Sequence, residues 1–117
     1  MSRQQVQRED ARFRLLRALG GNPGFSQRGL AREIGVSLGA VNALLNAMIE
    51  AGLVKIRNSE TAPGRFRFAY ALTAEGRGAT ARLAGQFLAR RRAELTALQR
   101  EIDALSADLA DTSQPPA

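Results

Sequence analysis

Two asparagines, Asn42 and Asn46, stand four residues apart in a stretch with helical periodicity. Residues with this spacing lie one above the other on a helix surface, so both amides face the same way. An Asn side chain donates and accepts hydrogen bonds and can pair bidentately with adenine in the major groove of DNA. The spacing therefore predicts a base-contacting surface, with two solvated polar side chains as the alternative.

Basic residues in the same part of the chain could bind phosphate groups. Residues 1–70 hold 11 basic and five acidic residues, whereas residues 71–117 hold six of each, so the first segment carries the whole net charge of +6. A concentrated positive field attracts phosphate backbones. We expect these residues to contact the phosphate backbone of a nucleic acid, with a merely solvated basic face as the alternative. The candidates are Gln27, Arg28, Arg32, Arg65 and Arg67.

Catalytic chemistry has little support in this composition. The chain contains no Cys and no His, which removes disulfides, thiolate nucleophiles, most zinc sites and the commonest general base. The 11 acidic residues show no paired arrangement that would suit acid–base catalysis. We therefore predict that the protein is not an enzyme and uses no cofactor or metal. An enzyme based on carboxylates remains the weakest of three hypotheses.

A helix is predicted ahead of the basic segment. Apolar residues recur at a spacing of three from about residue 9 to residue 19, which is typical of one buried helix face. A segment rich in Gly and Pro, residues 20–24, ends the helix. Residues 1–8 are polar and are predicted to form a flexible arm. The apolar positions are Phe13, Leu15, Leu16 and Leu19.

The asparagines belong to the second helix of a predicted helix-turn-helix. Ser26 is a suitable N-cap for a helix that Gly35 ends, and Ser37 is a suitable N-cap for a helix that runs to about Ala51. A short turn containing Gly lets two helices cross steeply, so the second can enter the major groove. Ser37 is a further candidate phosphate contact. The inward positions of the second helix are Val41, Leu44, Leu45, Met48 and Ile49.

After Gly52 the periodicity changes from helical to alternating, which predicts two strands. Residues 53–57 and 66–72 would pair as a hairpin, or wing, with an eight-residue loop between them. Alternation places the two arginines at the start of the second strand on one face, and Phe66 and Phe68 on the inward face.

A long helix is predicted from residue 74 to residue 110, with a length of roughly 55 Å. Its apolar residues step alternately by three and four, which indicates a coiled-coil seam interrupted once, at Arg91. A partner helix is the natural cover, so we predict a homodimer. Packing against the first helix of the same chain is the alternative, and the charges leave the parallel and antiparallel orientations open. Residues 111–117 are predicted to be disordered. The seam residues are Leu88, Leu95, Leu98, Ile102, Leu105 and Leu109.

These elements predict a mainly α fold with a small β-hairpin, in which a winged helix-turn-helix, residues 9–73, precedes a long dimerisation helix. The segment SQRGLAREIGVSLGAVNALLNAMIEAGLVKI resembles the DNA-binding core of MarR-type winged-helix regulators. The segment FAYALTAEG resembles their second wing strand and the start of their next helix. In its length, its SLGAVN stretch and its long C-terminal helix, the chain is most similar to the subgroup associated with exopolysaccharide gene clusters.

The resemblance implies a bacterial, sequence-specific regulator of transcription that binds double-stranded DNA as a homodimer. The two-fold symmetry would require a palindromic operator. The chain departs from the family pattern in its reading helix, which has no Arg or Lys and has Ala40 where relatives often carry a basic residue. A protein-interaction module that does not bind DNA is therefore the second hypothesis. The sequence shows no membrane-spanning stretch or secretory signal, so we expect a cytoplasmic protein. We assign no small-molecule effector.

Overall fold

A computed structural model of the chain describes residues 2–58 and 68–113. The described residues form four helices and one antiparallel hairpin, which confirms the predicted mainly α fold. Their order is α1 (Arg3–Gly21), α2 (Gln27–Ile34), α3 (Leu38–Glu50), β1 (Val54–Asn58), β2 (Phe68–Leu72) and α4 (Ala74–Ser113). The chain divides into two units, Met1–Ala84 and Gly85–Ala117, and each is described by itself.

Helix α1 begins six residues earlier than the sequence pattern predicts. The Ser2 hydroxyl accepts a hydrogen bond from the backbone N–H of Gln5, and the Gln5 side chain accepts one from the backbone N–H of Ser2, at 3.2 and 2.9 Å. This capping box satisfies two N–H groups that a helix start would otherwise leave unpaired. The expected flexible arm, residues 1–8, is therefore wrong from Arg3 onward. At the other end of the chain, α4 continues to Ser113, three residues beyond the predicted end.

The turn between α2 and α3 has the geometry that its residues predict. Ser26 caps α2 by accepting a hydrogen bond from the N–H of Gly29 at 3.0 Å. Gly35 ends α2 in the left-handed region, with φ 72° and ψ 37°, where a side chain would be strained. Ser37 then caps α3 by accepting from the N–H of Ala40 at 3.1 Å. Three local signals thus set the angle at which α3 leaves α2.

The hairpin pairs its strands so that Val54 is opposite Leu72 and Ile56 is opposite Tyr70. The expected loop after Asn58, together with Arg65, Phe66 and Arg67, lies outside the described residues, as does the side chain of Phe68. What the structure does describe is the base of the wing, where Val54, Tyr70 and Leu72 are buried.

Thr73 connects the base of the hairpin to the start of α4. Its hydroxyl donates to the carbonyl oxygen of Gly52 at 2.6 Å and accepts from the N–H of Gly76 at 3.0 Å. A Cβ at Gly76 would overlap the carbonyl oxygen of Leu53, so only Gly lets α4 start this close to the preceding backbone. The same hydroxyl therefore caps α4 and anchors it to the end of the helix-turn-helix.

The core of the first unit joins α1, α2, α3, the hairpin and the first turns of α4. Its apolar side chains come from the stripes that the periodicity predicts, although Leu44 and Ile49 are only partly buried. Because the stripe of α3 faces this core, the opposite face of α3 is left to solvent. The largest fully buried side chains are Leu15, Leu16, Leu19, Leu30, Val41, Leu45 and Met48.

The second unit is the C-terminal part of α4, and its apolar side chains are exposed. Leu95 is 66% exposed and Leu109 is 71% exposed. Side chains of this kind usually lie against another apolar surface. In the part of the chain that the structure describes, no helix combines the length and the apolar character needed to cross a bilayer.

Candidate nucleic-acid interface

The outward face of α3 carries both predicted base-contacting residues. Val41, Leu45 and Met48 point into the core, and Asn42 and Asn46 are exposed. The remainder of this face is small or apolar, including Leu38, which is 43% exposed, except for the exposed and acidic Glu50 at its C-terminal end. Among the described residues of the first unit, none covers the two asparagine side chains. The face is therefore free to contact a partner in the way that a reading helix must.

Ser37 stands at the N-terminus of α3, where the helix has free backbone N–H groups. Its Oγ is used as a cap for Ala40, and the residue is exposed. The hydroxyl hydrogen can donate at the same time as the oxygen accepts. Because a helix N-terminus favours an anion, the position suits a phosphate oxygen.

Gln27 links the wing to the reading helix. Its Nε2 donates to the hydroxyl of Tyr70 at 2.9 Å and to Oδ1 of Asn42 at 3.5 Å. Tyr70 is only 5% exposed, so one end of this network is fixed in the core. Gln27, predicted as a phosphate contact, therefore directs its amide nitrogen towards Asn42. The network gives the Asn42 amide a defined orientation, with its Nδ2 hydrogens free to donate.

Tyr70 is a contributor to the site that the sequence analysis missed. Alternation along the second strand puts Tyr70 on the same face as Phe66 and Phe68, which predicts that it is buried. A buried tyrosine hydroxyl usually has a hydrogen-bond partner. That rule could have predicted that a polar side chain packs against the Tyr70 hydroxyl. It could not have identified Gln27 as that side chain.

The candidate cations of α2 are placed on one helix face. Arg28 and Arg32 are separated by four residues, and both are exposed. Within residues 2–58 and 68–113, neither guanidinium has an ion-pair partner, so both charges are available to a bound anion. Lys55 and Arg57 are exposed on β1. The predicted contacts Arg65 and Arg67 lie outside the described residues.

One flank of α3 borders a cavity of about 940 Å³ on the side of α1. The α3 wall includes Ala40, Ala43 and Ala47, and the α1 wall includes Arg8 and Arg12. The short alanine side chains keep this flank open. Helix α1 therefore runs beside α3 without filling the space next to its outward face.

All six predicted seam residues are exposed in the second unit. Each of these apolar side chains has at least 48% of its surface accessible. Nothing in the described part of the second unit covers them. The residues are Leu88, Leu95, Leu98, Ile102, Leu105 and Leu109.

A family model described as the MarR family matches residues 1–62. This segment contains α1, α2, α3 and β1, and so includes the whole helix-turn-helix. Among curated protein sequences, none matches the chain significantly.

Solved structures with the same architecture include several regulators. The PcaV transcriptional regulator from Streptomyces coelicolor, in complex with its natural ligand, is 20% identical, with a TM-score of 0.66, over 88% of this chain and 74% of that one. At that identity the similarity establishes the fold alone. The transcriptional repressor CouR, bound to a 23-mer DNA duplex, is 29% identical, with a TM-score of 0.61, over 87% of this chain and 72% of that one.

A third structure is the Mycobacterium tuberculosis MarR family protein Rv2887 in complex with p-aminosalicylic acid. It is 29% identical to this chain, with a TM-score of 0.62, over 86% of this chain and 77% of that one. The three similarities extend over both units. They agree with the winged helix-turn-helix followed by a long helix that the structure shows.

Proposed function

This chain belongs to the MarR family of transcription regulators, and we propose that it is a cytoplasmic homodimer that binds double-stranded DNA sequence-specifically. The observation that carries the proposal is the exposed face of α3, the second helix of the helix-turn-helix. Asn42 and Asn46 lie next to each other on this face. A face of this kind fits the major groove, which is about 12 Å wide and admits one helix.

Asn42 is the first candidate for reading a base. Its Oδ1 accepts from Gln27 and keeps a second lone pair, while its Nδ2 has two hydrogens to donate. Adenine presents an N7 acceptor and an N6 donor in the major groove. An amide held in this orientation can bond both groups without first losing the contact to Gln27. We therefore propose adenine as the base that Asn42 reads, with Asn46 contacting a neighbouring base pair.

Phosphate contacts come from residues outside α3, because α3 has no basic side chain. Arg28 and Arg32 are exposed on α2, and Ser37 stands at the N-terminus of α3. The wing contributes Arg65 and Arg67. Such contacts position a protein on the duplex but carry no sequence information. They make binding depend on salt, and with about 6–10 phosphate contacts the affinity would fall ~10³–10⁵-fold between roughly 50 and 200 mM salt.

The exposed seam of α4 supports the homodimer. A two-fold dimer presents two copies of α3, whose half-sites would lie about 34 Å apart or a multiple of that distance. The operator would therefore be palindromic. CouR, at 29% identity, is described as bound to a DNA duplex, which supports the same role for this chain.

The genes under control are proposed from the sequence resemblance. The SLGAVN stretch at the start of α3 and the single long α4 are features of the subgroup associated with exopolysaccharide gene clusters. Genome-wide mapping of the bound sites tests this directly. Enrichment at exopolysaccharide promoters is expected, and enrichment confined to unrelated promoters would contradict it.

The decisive experiment is selection of bound sequences from random duplexes. We expect a palindromic consensus with adenine in each half-site. The double variant Asn42→Ala/Asn46→Ala should lose the adenine preference, whereas Gln86→Ala, an exposed polar change in the second unit, should keep it. Failure of the wild-type protein to enrich any sequence would refute the proposal.

A second candidate function is a protein-interaction module, favoured by the outward face of α3, which has no basic residue and exposes Leu38. The wing pair Arg65→Ala/Arg67→Ala separates the two functions. On the DNA proposal, this change weakens all duplexes alike, while the asparagine pair alters sequence preference. If neither pair changes DNA binding, the interaction module is the better description.

A further inference from the structure

We infer that the first half of α1, residues 3–12, is a further DNA-contacting element, and that the cavity between α1 and α3 holds the sugar-phosphate backbone of one DNA strand. The inference rests on the proposed binding of double-stranded DNA and adds a contact surface to it. Arg8 and Arg12 are the residues that bind the phosphate groups. Neither is among the phosphate contacts that the sequence predicts.

The first half of α1 is helical but stands outside the core. The helix packs against α2 and β2, and every buried side chain that it contributes comes from its second half. The capping box between Ser2 and Gln5 stabilises the first turn, which the core does not hold. Side chains of residues 3–12 are therefore available for a partner. The buried side chains of α1 are Phe13, Leu15, Leu16 and Leu19.

The wall that α1 contributes to the cavity carries a row of hydrogen-bond donors. Gln4, Arg8 and Arg12 are spaced by four residues, so they lie one above the other on one side of the helix, and all three line the cavity. Among the described residues, Glu9 is the one acidic residue in the lining, and it has an interaction partner within the protein. The wall is therefore positively charged on balance.

The two guanidinium groups of this wall are available to an anion. Among the residues that the structure describes, neither Arg8 nor Arg12 has an ion pair or a hydrogen bond. The Nε of Arg12 is buried without a hydrogen-bond partner, and a buried donor that stays unpaired costs free energy. A phosphate oxygen in the cavity gives this side chain the acceptor that it lacks. Guanidinium groups bind phosphate through two parallel hydrogen bonds.

The position of the cavity beside α3 identifies its occupant as a DNA strand. A helix with its side chains is about 10–12 Å across, so α3 would fill the major groove, which is about 12 Å wide. The two strands that bound this groove must then run along the two flanks of α3. Gln27 of α2 reaches Asn42 on one flank, and the cavity lies on the other. One strand would therefore pass between α3 and α1.

The α3 wall of the cavity allows a strand to come close. Ala40, Ala43 and Ala47 line this wall, and their short side chains keep a sugar-phosphate backbone at a small distance from the helix. Because α3 has no basic residue, α1 supplies the positive charge on this flank. The phosphate groups of the strand would then meet Arg8 and Arg12 while its sugars lie against the alanines.

The full-length variant Arg8→Gln/Arg12→Gln removes both charges and keeps polar side chains that favour a helix. Fluorescence anisotropy with the selected operator, over a salt series, measures its affinity. Each phosphate contact contributes about 0.9 to the slope of log K against log salt, so the slope should become shallower by about 1.8. The base preference should stay that of the wild type, because phosphate contacts carry no sequence information.

The matched control Arg17→Gln/Arg100→Gln removes two charges that do not line the cavity. Arg17 follows Arg8 by about two and a half turns and so lies on the opposite side of α1, and Arg100 belongs to the second unit. Both are exposed. This control should keep the wild-type slope. A slope as shallow as that of the Arg8 and Arg12 variant would overturn the inference, because net charge alone would then explain the effect.

Ethylation of single phosphates in the operator locates the contacts on the DNA. For the wild-type protein, ethylation should interfere with binding on both strands that bound the groove occupied by α3. For Arg8→Gln/Arg12→Gln, the interference should disappear on one of these strands and persist on the other. An interference pattern identical to that of the wild type would overturn the inference.

The outcomes separate this inference from the proposed function. A wild-type salt slope in Arg8→Gln/Arg12→Gln, together with a raised dimer Kd in sedimentation, would show that a second copy of this chain covers the cavity. That result would overturn the contact by α1 and leave DNA binding in place. A wild-type protein that binds no duplex would instead refute the proposed function itself.

Discussion

Helix α3 and the part of α4 beyond Gly85 are both amphipathic, but they leave opposite faces uncovered. In α3 the apolar stripe, including Leu45 at 1% exposure, packs against the same chain, and Asn42 and Asn46 remain outside. In α4 the apolar stripe itself is exposed. An apolar stripe is buried wherever a cover is available. We therefore propose two kinds of partner, a polar one with base edges for α3 and an apolar helix for α4.

The largest expected effect comes from removing a side chain of the covered stripe. Leu45→Ala should lower the free energy of unfolding by about 2–5 kcal/mol, because it deletes buried methyl groups and leaves a cavity. Urea denaturation followed by circular dichroism measures the change. The matched variant Leu38→Ala, at the exposed start of the same helix, should cost less than about 1 kcal/mol. An equal loss of unfolding free energy in the two variants would mean that the apolar stripe of α3 does not hold this helix to the core.

The same change in the uncovered stripe should affect assembly instead of folding. Leu98→Ala removes a seam residue from both copies, at about 2 kcal/mol each, and should raise the dimer Kd by ~1,000-fold. Analytical ultracentrifugation over a concentration series measures the Kd. Ala107→Ser, on the outer surface of α4, serves as the control. An unchanged Kd for Leu98→Ala would show that the dimer does not use this seam.

The polar face of α3 should tolerate substitution without loss of stability. Asn42→Ala should keep the wild-type unfolding midpoint within the error of the measurement. It should lose about 1–3 kcal/mol of discrimination between the selected operator and a duplex in which the consensus adenine of each half-site is replaced. Fluorescence anisotropy with the two duplexes measures the discrimination. A uniform loss of affinity for both duplexes would assign Asn42 to the phosphate backbone.

The smallest effect is expected at Tyr70, the buried end of the hydrogen-bond network that reaches Asn42 through Gln27. Tyr70→Phe removes the hydroxyl that holds Gln27 and keeps the ring, so stability should fall by only about 0.5–1.5 kcal/mol. The Asn42 amide would then lose its orientation, and discrimination for adenine should drop with little change in non-specific affinity. Gln27→Leu should produce the same loss of discrimination, since it removes the link itself. Wild-type discrimination in both variants would show that the network has no role in reading DNA.

The sequence was sufficient to predict those features of the fold that depend on neighbouring residues. The N-caps Ser26 and Ser37, the left-handed Gly35 and the outward position of the asparagines all depend on residues within a few positions of one another. The helix start at Arg3 was missed although its signal, Ser2 followed by Gln5, is equally local. The contact between Gln27 and Tyr70 was out of reach, because it joins residues 43 positions apart. Such a contact depends on how the hairpin packs against α2, and periodicity within one element carries no information about that.

Whether Asn42 on α3 reads an adenine can be measured by exchanging one ring atom of the DNA. Replacing the proposed adenine by 7-deazaadenine deletes the N7 acceptor that the Asn42 amide would contact. We predict that this change weakens the wild-type protein by about fivefold, the value of one hydrogen bond near 1 kcal/mol, and has no further effect on Asn42→Ala. Independent losses that add in the double change would contradict a contact between the two groups.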